Sequence, residues 1–375
     1  MLGIVFGLVG LYLWEATGRD DYTPPVSGED SDNASGEQSF QGEGYINFAS
    51  QWSPDGNFIA FTSVQSENFG IWVVSSDGSS FINLTENSGV SGKAPNWSPN
   101  SQLIAFESMR SGNGDIWIMG ADGSNPVNLT SESDETEYAA QWSPDGHYIA
   151  YLAETDQRFQ VRVVDVESGQ ITTVAAAPDR DYVAFDWSPN VTQIAVVETM
   201  VTENDGDANS GPLTQVSIRS VDGFSLQTYR PTQPVSDVKW SPDGSKFLLE
   251  VTTSLGPTAL DFIIMNFDGS EQEIVIPEHY GILGNWSLDG SMIVFSTTRS
   301  LTDNLEAAVS SIWVSNADGS SLLHIAEDFD GSASPDWSPE GMKIAFSGRQ
   351  GGEGNFDIWV MNADGSNLMN LTGGE

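Results

Sequence analysis

Most of the residues able to do chemistry in this chain are carboxylates. Its 375 residues include 53 Asp and Glu against 13 Lys and Arg, a formal net charge of -40. Carboxylates can pair for glycoside hydrolysis, ligate Ca²⁺ or attract cations. With so many acids, pairs exist everywhere, so a hydrolytic pair carries no information. The densest clusters are Asp205-Gly206-Asp207 and Asp134-Glu135, but the full D-x-D-x-D-G loop closed by a bidentate Glu is absent. A solvated charge run is the stronger reading, with Ca²⁺ kept as the secondary one and no other cofactor indicated. The three His (His147, His279, His324) are scattered and there is no Cys, which removes disulfides, zinc-thiolate sites and a cysteine nucleophile. No G-x-S-x-G elbow occurs. No catalytic or metal-binding residue is therefore assigned. The charge also repels phosphate, so nucleic acid is excluded as a partner.

A second set of polar residues is defined by position. Gln51, Asn96, Gln141, Asp186, Lys239, Asn285 and Asp336 each stand immediately before a Trp. Brought together, they form a candidate binding ring of amides, carboxylates and one ammonium. The competing account is structural: each side chain satisfies backbone groups of a neighbouring strand. The single Lys239 makes the ring asymmetric, which a purely structural ring would not need.

The elements that must position these residues are repeats. WSPDG or a close variant begins at Trp52, Trp97, Trp142, Trp187, Trp240, Trp286 and Trp337, at spacings of 45, 45, 45, 53, 46 and 51 residues. Each copy continues with an apolar run such as Ile59-Ala60-Phe61. A third run follows, such as Ile71-Trp72-Val73-Val74, then a DGS turn and often Leu-Thr. These short runs, rich in β-branched and aromatic residues and bounded by Gly, Pro, Asp and Ser, read as strands and hairpins. Four strands per repeat of about 45 residues is the period of a propeller blade. The fold class is all-β: a seven-bladed propeller of four-stranded antiparallel blades spanning residues 45–375. The motif Trp and Trp72, Trp117, Trp313 and Trp359 are expected in the core between blades. Blades 3, 4 and 5 carry Arg162, Ser217 and Ile263 in place of the third-strand Trp, and are expected to be the least regular.

The succession Trp-Ser-Pro-Asp-Gly, Ile-Ala-Phe, Ile-Trp-Val-Met, Asp-Gly-Ser and Leu-Thr resembles the TolB-type propeller repeat over residues 45–375. TolB-type proteins have six such blades behind an α/β domain; here there are seven motifs and only a short acidic segment ahead of them. The resemblance implies the propeller fold and, more loosely, a periplasmic protein-binding role of the Tol–Pal kind, with no partner-binding residue carried over. Related propellers precede a hydrolase domain in prolyl-oligopeptidase-like peptidases; none is expected here, because the last repeat ends three residues before the sequence does. A seven-bladed relative, oligogalacturonate lyase, uses a His-rich metal site that three scattered His do not match.

Alternation of strands sorts the connections. The WSPDG and DGS turns fall on one face, short and uniform. The other face takes the insertions Thr202 to Gly211 and Ser300 to Ser310, and the between-blade loops Ser131 to Glu137 and Glu327 to Gly331. Variation on one face marks it as the candidate binding face. Blades 1 and 7 are expected to meet by face packing alone, without residues 40 to 48 pairing with blade 7.

Residues 2–14 form an apolar run of 13, shorter than the ~20 residues of a full span. It reads as a signal-anchor whose start lies upstream, an atypical cleaved signal, or a short packing helix. Residues 1–19 are thus a hydrophobic anchor or signal remnant, and residues 20–44, with seven acids and no Lys or Arg, a flexible acidic linker. The combined expectation is a non-catalytic binding or scaffold propeller in the periplasm or at the cell surface. It is anchored by residues 2–14, touches membrane through that segment only, and serves a protein partner that is cationic or envelope-associated. The alternative is a propeller enzyme acting on polysaccharide or peptide.

Overall fold

The computed structural model describes residues 45–65, 68–86, 92–131, 133–155, 158–200, 213–252, 260–274, 280–300, 308–351 and 354–373. The expectations for residues 1–44, including the anchor and linker, lie outside them, as do Asp205-Gly206-Asp207 and Thr202 to Gly211. Among the described residues no helix is long and apolar enough to cross a membrane.

The described residues form 27 strands in seven blades. Blade 1 is β1 (Tyr45–Trp52), β2 (Phe58–Gln65), β3 (Asn68–Ser75) and β4 (Phe81–Asn83). Blade 2 is β5 (Lys93–Trp97), β6 (Leu103–Ser108), β7 (Asp115–Gly120) and β8 (Val127–Asn128). Blade 3 is β9 (Thr136–Trp142), β10 (Tyr148–Thr155), β11 (Arg158–Asp165) and β12 (Ile171–Ala175). Blade 4 is β13 (Arg180–Trp187), β14 (Gln193–Met200), β15 (Thr214–Ser220) and β16 (Ser225–Tyr229). Blade 5 is β17 (Val235–Trp240), β18 (Lys246–Thr252), β19 (Leu260–Asn266) and β20 (Glu271–Ile274). Blade 6 is β21 (Tyr280–Trp286), β22 (Met292–Ser300), β23 (Ala308–Asn316) and the first part of β24 (Leu323–Trp337); blade 7 is the rest of β24 with β25 (Lys343–Gln350), β26 (Asp357–Asn362) and β27 (Met369–Asn370).

Strand order follows chain order and all ladders are antiparallel. Blades 1 to 5 are separate four-stranded sheets, so losing the third-strand Trp does not break blades 3, 4 or 5. The irregularity lies elsewhere. Blades 6 and 7 form one seven-stranded sheet, because β24 runs from the edge of blade 6 into the innermost position of blade 7. Phe329 pairs with both Ser310 of β23 and Gln350 of β25. The between-blade loop expected at Glu327 to Gly331 is therefore strand, bent by two register shifts between Asp330 and Asp336 rather than broken.

The core lies between blades. All seven motif Trp are between 4% and 6% exposed. Each apolar cluster joins neighbouring blades, as when Ala60, Ile71 and Val73 of blade 1 pack with Trp97, Ile104, Phe106 and Met119 of blade 2. A blade is a thin sheet with two apolar faces, and stacking in a ring covers both.

Ring closure corrects the sequence expectation. Ile46 makes a parallel bridge to Phe356, and the Asn47 amide donates to the Phe356 carbonyl at 3.0 Å. The repeat-equivalent bonds are Gly92 to Phe69 at 3.2 Å and Glu137 to Gly114 at 2.7 Å. Blade 7 therefore meets blade 1 through the same hydrogen bond that joins blade 1 to 2 and blade 2 to 3, and not by face packing alone.

Candidate functional site

The innermost strand of every blade carries a register shift just before its motif Trp. In four blades the shift holds a non-glycine residue in the left-handed region: Ala49, Ala94, Ala139 and Ser334, with φ between 51° and 55°. The freed amide turns to the previous blade, where Ala94 donates to Thr62 Oγ1 at 2.9 Å and Ala139 to Glu107 Oε1 at 2.7 Å. Sequence reading missed Thr62 and Glu107, since nothing in their local context marks them as inter-blade acceptors.

Beyond the shift stand the seven polar residues, six of which make side-chain bonds across blade boundaries. Gln51 Oε1 accepts the Trp97 amide at 2.8 Å and Asn96 Oδ1 the Trp142 amide at 2.9 Å. Gln141 Nε2 donates to Asp186 Oδ1 at 2.6 Å, and Asp186 Oδ2 accepts the Trp240 amide at 2.6 Å. Asn285 Nδ2 donates to Asp336 Oδ1, and Asp336 Oδ2 accepts the Trp52 amide, both at 2.9 Å. The relay breaks at Lys239, which has no acceptor. There the Trp286 amide turns to its own neighbour, Asn285 Oδ1, at 3.0 Å. Lys239 Nζ instead lies 3.7 Å from Asp237, and a third of its side chain reaches water. The Asp237 carboxylate holds that ammonium above its usual range, while burial pushes Asp186 up and Asp336 up to about 6.

A polar cluster that the sequence did not reveal lies between blades 2 and 3, at the loop-bearing end. Asp115 and Glu137 are each 1% exposed. Asp115 Oδ2 accepts from Ser111 and Asn128, and Glu137 Oε2 from Thr130 at 3.2 Å, while among the described residues Asp115 Oδ1, Glu137 Oε1 and the Tyr151 hydroxyl make no hydrogen bond of normal geometry. Burial and the Asp115 charge push Glu137 up to about 7. Above it, Arg162 occupies the place of the third-strand Trp, opposite Tyr151, and pairs with Glu135. Asp134-Glu135, the described member of the two acid clusters, thus has one carboxylate bound to a guanidinium. The same positions between blades 7 and 1 hold Asp357 and Asn47, joined through Thr372 Oγ1 at 3.1 Å to each. Between blades 1 and 2 they are Gly70 and Gly92. In blade 4, Glu198 is 1% exposed and accepts from Arg219, Ser217, Arg180 and Gln215. Burial alone would raise it, and these donors reverse the shift downward.

On the opposite face the turns are built alike. The buried Ser of each motif accepts the amide five residues on, and in blades 1, 3, 5 and 6 its hydroxyl donates to the turn Asp at 2.6–2.7 Å. Asn100 and Asn190 take the place of Asp in blades 2 and 4. The DGS turns add Asp77, Asp122, Asp268, Asp318 and Asp364, each held below the usual carboxylate range first by its hydrogen bond from the following Ser. Among the described residues no group of three or more His, Asp or Glu is placed to hold a metal.

With this geometry in view, comparison decides the family. A model described as the TolB beta propeller domain matches residues 32–229, more than half of the chain. The chain belongs to the TolB β-propeller family. Its blades also resemble solved structures at low identity. TolB from Acinetobacter baumannii is 16% identical over 82% of this chain and 77% of that one, with a TM-score of 0.51. The β-propeller domain of the Trilobed protease from Pyrococcus furiosus is 11% identical over 88% and 96%, at 0.65. Oligogalacturonate lyase in complex with manganese is 12% identical over 84% and 89%, at 0.59. These likenesses show a shared fold. No curated protein matches the chain.

Proposed function

We propose that this TolB-family propeller is a non-catalytic module that binds a protein partner outside the cytoplasm, through the face opposite the WSPDG turns. One observation carries the reading. The turn face repeats one construction around the ring, whereas the opposite face joins its strands by connections ranging from two residues (66–67) to more than ten (201–213). A scaffold whose connections vary in length at one end is built to present that end. The extracytoplasmic placement rests on the family and on the apolar run at residues 2–14. The residues of the axial ring are proposed to keep the blades in register and to frame the channel mouth, with Lys239 as its partly exposed cation. No cofactor is invoked.

The test is crosslinking of the full chain in envelope preparations, with wild type beside a variant lacking residues 202–211. Loss of a specific crosslinked partner with unchanged thermal unfolding supports the proposal. Retention of the same partner by the deletion variant refutes the assigned face. Turnover of a polysaccharide or peptide by purified chain would favour the enzymatic alternative.

A further inference from the structure

The turn face departs from the repeat on both sides of blade 7, where a Cβ at Gly56 of blade 1 would meet the Glu340 carboxylate at 3.3 Å in place of Pro339. In the regular copies the turn glycine lies against the proline of the preceding blade. Only 3.6 Å separates a Cβ at Gly146 from Pro99, 3.8 Å one at Gly244 from Pro189, and 3.5 Å one at Gly290 from Pro242. A Cβ at Gly341 of blade 7 would meet no atom of the described residues within 4 Å. The cause is in the sequence: Leu288 stands where the other six motifs have Pro. Proline would fold back over the turn, but the leucine side chain stands away from it, 65% exposed.

A groove of about 350 Å³ opens there, with Leu288, Met292, Pro339, Gly341, Asp289 and Glu340 in its lining and no Lys or Arg among its lining residues. Met342, beside it in sequence, is also 65% exposed. Leu288 thus offers uncovered apolar surface at the groove, and removing such surface from water is favourable. Its surroundings choose the occupant. Asp289 is held near 2, first by the Ser287 hydroxyl and then by Ser291, and Asp55, Asp243, Asp268, Asp318 and Asp364 on the same face are also held below the usual carboxylate range. This face stays negative well below neutral pH, so it repels acidic segments and draws cationic ones.

We propose that the groove between blades 6 and 7 docks a peptide segment in which a Lys or Arg flanks a Leu-sized apolar side chain. The apolar residue fills the space against Leu288, Met292 and Pro339. Its cationic neighbours face Asp289 and Glu340. This site lies on the face opposite the insertions and is independent of the binding proposed there.

The probe is acetyl-Lys-Leu-Lys-amide, titrated into full chain labelled at Leu and Met methyls and followed by NMR. The Leu288 and Met292 methyls should shift saturably. Acetyl-Lys-Gly-Lys-amide and acetyl-Gly-Leu-Gly-amide should each bind about tenfold more weakly or worse, since each lacks one half of the recognition. L288P, which restores the motif of the other blades, should fold as wild type and lose the response; M342A, outside the lining of the groove, should fold and bind as wild type. Equal shifts from the Lys-Gly-Lys peptide spread over all the turns would reduce the site to bulk charge and overturn the proposal. So would an unchanged response in L288P, or no methyl shift at millimolar peptide.

Discussion

At the scale of single residues, the two carboxyls buried between blades 2 and 3 are the sharpest feature. Glu137 is pushed from 4.5 to about 7 by burial and by Asp115. Between those values the folded chain binds more protons than the unfolded one. Its contribution is therefore fully present below about pH 4.5 and is lost as pH rises through about 7. The size is on the order of 3 kcal/mol, given about 1.4 kcal/mol per tenfold change. E137Q should abolish this component: urea midpoints of wild type should fall relative to E137Q from pH 5 to 8, and parallel curves would refute it. The amide at the equivalent place, Asn47, already sits beside Asp357 in the 7–1 contact. Sequence could not show this pairing. Asp115 and Glu137 are 22 residues apart, and only the stacking of one blade on the next brings them together.

At the scale of elements, the turns explain much of the acidity and set testable differences between copies that look the same. Gly123 and Gly169 occupy the same hairpin of blades 2 and 3, with φ of 80° and 72°. A Cβ at Gly123 would lie 2.8 Å from the Leu84 carbonyl oxygen, whereas one at Gly169 meets no atom of the described residues within 4 Å. G169A should cost about 1 kcal/mol, the left-handed strain alone, and G123A roughly twice that or more, because the backbone of blade 1 must also shift. Thermal unfolding of the pair checks it, and equal losses would mean the inter-blade contact is loose. The strands themselves were legible, since WSPDG, the apolar runs and DGS state their period openly. The buried Ser of the motif was read only as part of a turn, although its hydroxyl closes the hairpin. The splice at β24 was hidden because EDFDG at residues 327–331 has the composition of a loop. Strand pairing on both sides overrides that local preference.

At the scale of the whole molecule, closure depends on the polar relay around the axis. Q51A, N96A and D336A each remove the acceptor of a neighbouring Trp amide and should each cost about 1–3 kcal/mol. K239A accepts no such bond and should cost less. Chemical denaturation of the four variants orders them; a K239A loss as large as that of D336A would contradict the relay. The candidate residues were legible from their place before each Trp. That some accept, some donate and one interrupts was not, because it depends on which group each side chain faces across a blade boundary.

The continuous β24 makes blades 6 and 7 one hydrogen-bonded body, while blades 1 to 5 remain separate sheets held by packing and a few cross-bonds. The ring should therefore come apart in six pieces, not seven. In native-state hydrogen exchange, amides of β22, β23, β25 and β26 should share one opening free energy and respond together to a destabilising change in either blade. Blades 2 and 3 should open independently of each other. Distinct openings on the two sides of Phe329 would show that the bend, not the strand, governs how the molecule yields.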